Sequence, residues 1–317
     1  MRPTRRSPGL STSTASRLPF ADEAHDHARP FLKWAGGKSQ LLSQFGLLYP
    51  DPGRIVRYIE PFVGGGAVFF HVRSVLGPRR VILADANDEL INAWECIHKD
   101  VEGLIRRLGK HRKLHSQEHY YKVRAQEPGE LSPIERAARI IYLNKTCFNG
   151  LYRVNRSGRF NVPMGNYVNP RIFDAANLRA ASDALRGVRL KQAHFRETLN
   201  YARKGDFVYF DPPYVPLSET SQFTSYAASE GKAVFDKDDQ IQLADLFTKL
   251  ARRGCHVMLS NSDCEFVRRL YRRFWIYSVK ARRSINCKAD RRGGISEAVV
   301  LSYEATSMGA RAMLVRD

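Results

Sequence analysis

Two hydrophobic rhythms alternate along the chain, and the first belongs to a sheet buried on both faces. Segments 54–62, 81–85, 206–210 and 256–260 are short, rich in Val, Ile, Tyr and Phe, and bounded by Gly, Pro or Asp, as strands covered on both sides are. Between the last two, Leu243, Leu246, Phe247 and Leu250 share one helical face, and Gly254 follows as a stop. The first strand runs into Gly64-Gly65-Gly66, a helix is expected from Ala67, and the second strand ends at Asp85. That β-loop-α-β unit predicts a doubly wound α/β sheet. Segments 276–282 and 298–303 flank a basic, Gly-containing loop and predict a closing antiparallel pair.

Residues 88–173 follow a different rhythm, with several helices and then a β-hairpin centred on Arg156-Ser157-Gly158. The expectation is an inserted, mainly helical domain within a sheet domain formed by 30–87 and 174–305. Residues 1–29, rich in Arg, Ser, Thr and Pro without periodicity, read as a flexible basic arm, and 306–317 as a tail. No internal repeat is present.

Charge narrows the partner. The 51 Lys and Arg against 32 Asp and Glu leave a formal charge of +19, which favours a polyanion over acidic small molecules. No apolar run of about 18 residues occurs, and no apolar stretch follows the N-terminus, so the expectation is a soluble cytoplasmic protein with no membrane partner. The five cysteines are scattered without a C-x-x-C pair, against a disulfide framework or a zinc knuckle. His111, His115 and His119 stand four apart, a metal-ligand spacing, yet among Arg, Lys and Glu they read as a solvated helix face, and no metal is expected.

Three motifs carry chemistry. The glycine turn after a strand, with Asp85 about 20 residues on, suits a ribose-containing cofactor: the backbone can approach the ligand and the carboxylate can accept from ribose hydroxyls. Taken alone it would serve nicotinamide dinucleotides, flavins or S-adenosylmethionine. Gly37-Lys38-Ser39 is not a triphosphate loop, because that loop needs a glycine where this chain has Leu32; Trp34 and the lysines suit instead a wall against an adenine ring. Asp211-Pro212-Pro213-Tyr214 ends an apolar strand, where open α/β sheets bind ligands. A carboxylate and the Pro212 carbonyl can both accept from one amino group, localise its lone pair and aim it at a methyl donor, while Tyr214 offers a ring for a flipped base.

The blocks FLKWAGGK, EPFVGGGAVF, LADANDELI, LNKTCFNGLYRVNRSGRFNVPMGNY, DPPYVPLSETSQFTSY, LSNSD and RRSI, in that order, resemble the Dam-type DNA adenine-N6 methyltransferases of the D12 class, which act on GATC in duplex DNA. The resemblance spans nearly everything from Phe31 to Tyr303. It implies a Rossmann-like, S-adenosylmethionine-dependent methyltransferase sheet, a target-recognition insert, and a monomer associated with the nucleoid through DNA. It implies that Trp34, Lys38, Phe62, Gly64, Gly66, Asp85 and Asp211 contact S-adenosylmethionine, and that Asp211, Pro212, Pro213 and Tyr214 carry the chemistry. It implies that Lys33 reads the first guanine, that Leu151, Arg153, Pro163 and Tyr167 read later base pairs, that Phe148 wedges into the duplex and that Asn149 meets the orphaned thymine. Phe148 stands where the family usually has Tyr, and Lys145-Thr146-Cys147 departs from the usual residues. Segment 216–226 is expected to close over the extruded base. A cytosine-N4 or RNA methyltransferase would share the cofactor fold, a non-catalytic relative would bind DNA without cofactor, and a dinucleotide oxidoreductase would not call for D-P-P-Y.

Overall fold

The computed structural model describes residues 28–214, 235–281 and 295–315. Residues 1–27 of the expected arm, segment 216–226 and the basic, Gly-containing loop over residues 282–294 lie outside the described residues. Seven strands form one sheet: β1 (Tyr58–Glu60), β2 (Val81–Asp85), β3 (Val188–Gln192), β4 (Phe207–Phe210), β5 (His256–Ser262), β6 (Trp275–Ala281) and β7 (Ile295–Leu301), in the order β3-β2-β1-β4-β5-β7-β6. The first five run parallel, while β7 is antiparallel to both β5 and β6.

Strand alternation divides two cores. Phe207 and Tyr209 of β4 join one apolar cluster, and Val208 and Phe210 join the other. Helices α1 (Leu42–Gly46), α2 (Ala67–Leu76), α3 (Asp88–Lys99), α4 (Val101–Lys113), α5 (Gln117–Ala125), α6 (Pro133–Thr146) and α7 (Ala175–Ala184) contribute side chains to the first. The second takes α8 (Thr198–Tyr201), α9 (Lys237–Arg252) and α10 (Glu265–Leu270), and a last turn of helix, α11 (Met308–Arg311), packs on the first. The first cluster is continuous from the sheet through α3 to α6, so the helices of 88–146 share the core of the sheet. Among the described residues no helix is long and apolar enough to cross a membrane.

Two expectations are corrected. The first strand is only Tyr58–Glu60, because Pro52–Arg54 form a 3-10 turn before it and Pro61, which lacks an N–H, ends it. The three histidines are not a solvated face. His111 ends α4, His115 lies in the link and His119 opens α5, and all three gather on the fully buried Tyr142 of α6. His111 stacks on that ring at 4.9 Å and shares a 3.0 Å hydrogen bond with His119, while His115 Nδ1 lies 2.9 Å from the Tyr142 hydroxyl. Burial lowers the pKa of each, His111 to about 4, so they pack as neutral rings. Among the described residues no group of three His, Cys, Asp or Glu is placed to hold a metal.

Candidate active site and DNA-reading face

β1 and β4 are neighbours from which the sheet winds outward in opposite directions, the point where parallel strands diverge and leave a crevice at their carboxyl ends. The glycine turn after β1 and Asp211 after β4 border it. Asp85, ending β2, ties the turn down: its Oδ2 accepts from the Gly64 amide at 3.2 Å and its Oδ1 from the Asn87 amide at 3.0 Å. Burial pushes the Asp85 carboxyl up to about 6, against the pull of those amides. On their Cβ sides the glycines admit tryptophans. A Cβ on Gly64 would fall 2.9 Å from the Trp34 ring, and one on Gly66, whose φ is +76° at the start of α2, would fall 2.5 Å from Trp94. Trp94 also donates from its indole nitrogen to the Gly64 carbonyl at 3.1 Å.

Half-buried Phe62 stacks on Phe195 at 5.6 Å and meets Phe210 and Phe235 edge-on. Phe195 opens a 3-10 turn just beyond β3 and belongs to none of the motifs read in the sequence.

The D-P-P-Y segment is held at every residue but its first proline, which is buried. Asp211 Oδ1 lies 3.0 Å from the Lys38 ammonium and accepts from the Ser260 hydroxyl at 2.9 Å. Ser260 is in turn 2.8 Å from the hydroxyl of Tyr209, the strand residue two before Asp211. The Pro213 carbonyl accepts from Gln240 of α9 at 2.8 Å, and Gln240 accepts from Asn261 at 3.0 Å. The Tyr214 hydroxyl donates to Glu297 of β7 at 2.6 Å, and the Lys38 ammonium sits 4.6 Å from the centre of its ring. Ser260, Asn261, Gln240 and Glu297 are the residues sequence reading missed as part of the site. The LSNSD block was the available signal: its Ser260 and Asn261 brace the two ends of the proline pair. Lys38, whose resemblance implies a cofactor contact, is only 3% exposed and is paired with Asp211.

The implied base readers come from three stretches. Lys33, from the N-terminal segment, lies with its ammonium 4.3 Å from the centre of the Tyr167 ring. Phe148, 52% exposed, and Leu151, 39% exposed, flank Asn149, whose φ of 54° places it in the left-handed region that Asn tolerates. The Phe148 amide donates to the Pro163 carbonyl, joining the loop to the return strand of a short hairpin bridged at Val154 and Phe160. Arg153 is exposed and steadied by a 2.7 Å bond from its Nε to Asn161. Lys145 adds to the positive field here. Burial, together with Lys33, Arg171 and Arg29 nearby, lowers it to about 8.

Comparison with known proteins identifies the family. A family model described as D12 class N6 adenine-specific DNA methyltransferase matches residues 34–285. The chain is 45% identical over 290 residues to the type II methyltransferase M.MjaIII of Methanocaldococcus jannaschii, covering 87% of this chain and 99% of that one. It is 42% identical to the type II methyltransferase M1.LlaDCHI of Lactococcus lactis, covering 87% and 95%. To the DNA adenine methylase of Haemophilus influenzae it is 34% identical, covering 86% and 93%. The chain belongs to the D12 class of N6 adenine-specific DNA methyltransferases.

Proposed function

We propose that this enzyme methylates adenine N6 within GATC in duplex DNA, swinging the base out of the helix and reading the site with the insert of residues 88–173. The observation that carries the reading is Asp211 at the mouth of the sheet's switch point, braced by Lys38 and Ser260, on the same molecule as a reading face where Lys33 meets Tyr167.

The lone pair of an adenine amino group is delocalised into the ring, so the enzyme's task is to localise it. The Asp211 carboxylate and the Pro212 carbonyl each accept one N6 hydrogen, which draws the nitrogen towards tetrahedral geometry. Among the described residues, the contacts from Lys38 and Ser260 to Asp211 fall on Oδ1, and Oδ2 takes the substrate hydrogen. Gln240 and Glu297 fix Pro213 and Tyr214, so the carbonyl and the stacking ring keep their places as the base arrives. After transfer the nitrogen is acidic and its proton leaves to water or through Asp211.

The enzyme's methyl donor is S-adenosylmethionine, and the residues present fit it. Phe62 with Phe195, and Trp34 across the glycine turn, offer flat apolar walls for its adenine, and Asp85 offers a carboxylate to the ribose hydroxyls. When bound it supplies an electrophilic methyl group on a sulfonium. Because Asp85 ionises near 6, its capacity as a double acceptor is complete above that pH and declines below it. Affinity for S-adenosylhomocysteine, followed by calorimetry, is therefore expected to fall as pH drops through about 6. In Asp85→Asn it should be weak and flat with pH. A parent affinity that ignores pH on either side of that value would remove Asp85 from the role.

On the reading face, Arg153 grips guanine O6 and N7, and Leu151 and Pro163 touch a thymine methyl. Phe148 wedges into the duplex, and the extruded adenine stacks on Tyr214. Expression in a host without adenine methylation, followed by digestion with nucleases that cut only unmethylated GATC, tests the target. Protection is expected. GATC sites left open in DNA that nevertheless contains N6-methyladenine would refute the target sequence while leaving the reaction standing.

A further inference from the structure

Tyr152 lies between Leu151 and Arg153, yet its ring takes no part in the reading face. It is half-buried, 5.3 Å from the Trp34 ring and edge-on to Phe160 at 6.0 Å, and its hydroxyl lies beside the Asn87 side chain. Asn87 donates its amide to Asp85 Oδ1 and caps α3 by accepting from the Leu90 amide. Trp34 packs on Gly64, which donates to the other Asp85 oxygen. Tyr152 thus touches both residues that flank the Asp85 turn.

A second tie joins the same parts. Fully buried Asn144, near the end of α6, accepts from the Lys33 amide at 2.8 Å, donates to the Lys33 carbonyl at 2.8 Å and donates to the Gly150 carbonyl at 2.9 Å. Gly150, with φ of +65°, lies so close that a Cβ there would fall 2.6 Å from the Lys33 side chain. Lys33 and Trp34 therefore pack with residues 148–152 as one body, with a cofactor wall at one end and base readers at the other.

We infer that Tyr152 is a positioning residue that couples cofactor occupancy to base reading. A ligand seated against Trp34 restrains the Tyr152 ring, and that ring restrains the loop carrying Leu151 and Arg153. Because such coupling is reciprocal, cofactor and DNA each tighten the binding of the other by the same factor. The inference rests on the proposed role of Trp34 as a cofactor wall. If Tyr152 only filled space, an aliphatic side chain would serve nearly as well.

The test uses the full chain and a duplex bearing whatever sequence the enzyme is found to methylate, mapped by sequencing DNA from an expressing host. The quantity read is the ratio of DNA Kd without and with saturating S-adenosylhomocysteine. The parent ratio is expected at roughly 5–150, as for typical coupled sites. Tyr152→Phe, which keeps the stack, should retain most of it, and Tyr152→Leu should bring it close to one while still binding DNA. Tyr152→Met provides a second ring-free variant should the leucine one fail to fold. A parent ratio of one, or a parent-like ratio in the ring-free variants, overturns the inference. Trp34→Ala separates the two readings. If it keeps full affinity for S-adenosylhomocysteine, the cofactor-wall assignment fails, and if it loses affinity while Tyr152→Leu keeps the ratio, the coupling alone fails.

Discussion

Asp211→Ala is expected to lower kcat by about 10³-fold or more, equivalent to roughly 4 kcal/mol of transition-state stabilisation, while duplex DNA still binds. The loss is large because Asp211 has two tasks. In the proposed mechanism it accepts a hydrogen from the reacting amino group, and its Oδ1 is the partner of the ammonium of Lys38, a residue only 3% exposed. Removing the carboxylate therefore leaves a buried charge unpaired, which by itself can cost about 3–5 kcal/mol of stability. Two controls separate chemistry from folding. Asp211→Asn keeps the shape and an oxygen that can still accept from Lys38, so it should be more stable than the alanine variant, but it presents an NH₂ donor where acceptors are needed and should remain severely impaired. Combining Asp211→Ala with Lys38→Met removes the stranded charge, so stability should recover without activity. Single-turnover methylation, denaturant melts and fluorescence anisotropy on DNA report the three quantities. An alanine variant with full activity would sink the mechanism.

The parts legible from sequence were those in which one short stretch contains its own reason. β4 and residues 257–259 of β5 are unbroken apolar runs because both faces are buried, and α9 announces itself by a single apolar face and Gly254. β3 was missed. Its VRLKQ sequence alternates with charged residues because it is the sheet's edge and is only partly buried, so nothing local distinguishes it from a turn. The glycine turn, Asp85 and D-P-P-Y were legible as motifs, whereas their supports were not. Tyr214 depends on Glu297 and Pro213 on Gln240, partners that reach the crevice only because β7 and α9 pack there. The histidines failed for a related reason: their charged neighbours in sequence point elsewhere, and Tyr142, which gathers them, lies on a different helix. Sequence period reports what an element does to its own faces, and it is silent on which distant side chain meets them.

Trp94→Ala should destabilise the enzyme by about 3–5 kcal/mol, since the ring is fully buried between α3 and the glycine turn and its removal leaves a cavity. Trp94→Phe keeps an aromatic ring but strands the Gly64 carbonyl, for a smaller loss of about 1–3 kcal/mol. The informative partner is Gly66. A methyl group there meets the Trp94 ring at 2.5 Å, an overpacking cost of about 1–3 kcal/mol. The backbone φ of +76° adds about 1–2 kcal/mol for any residue with a Cβ. With the ring gone, Gly66→Ala should retain only the backbone cost, so the double variant should be more stable than the sum of the single losses by about 1–3 kcal/mol. Strict additivity in denaturant melts would mean that the ring relaxes out of the way and that Gly66 is needed for its backbone alone. Cofactor affinity supplies the functional reading. Trp94 holds the Gly64 carbonyl while Asp85 holds the Gly64 amide, so Trp94→Ala should weaken S-adenosylhomocysteine binding even in conditions where the variant is fully folded. Gly66→Ala combined with Trp94→Ala should recover stability relative to additivity without recovering that affinity, because the carbonyl clamp is still missing.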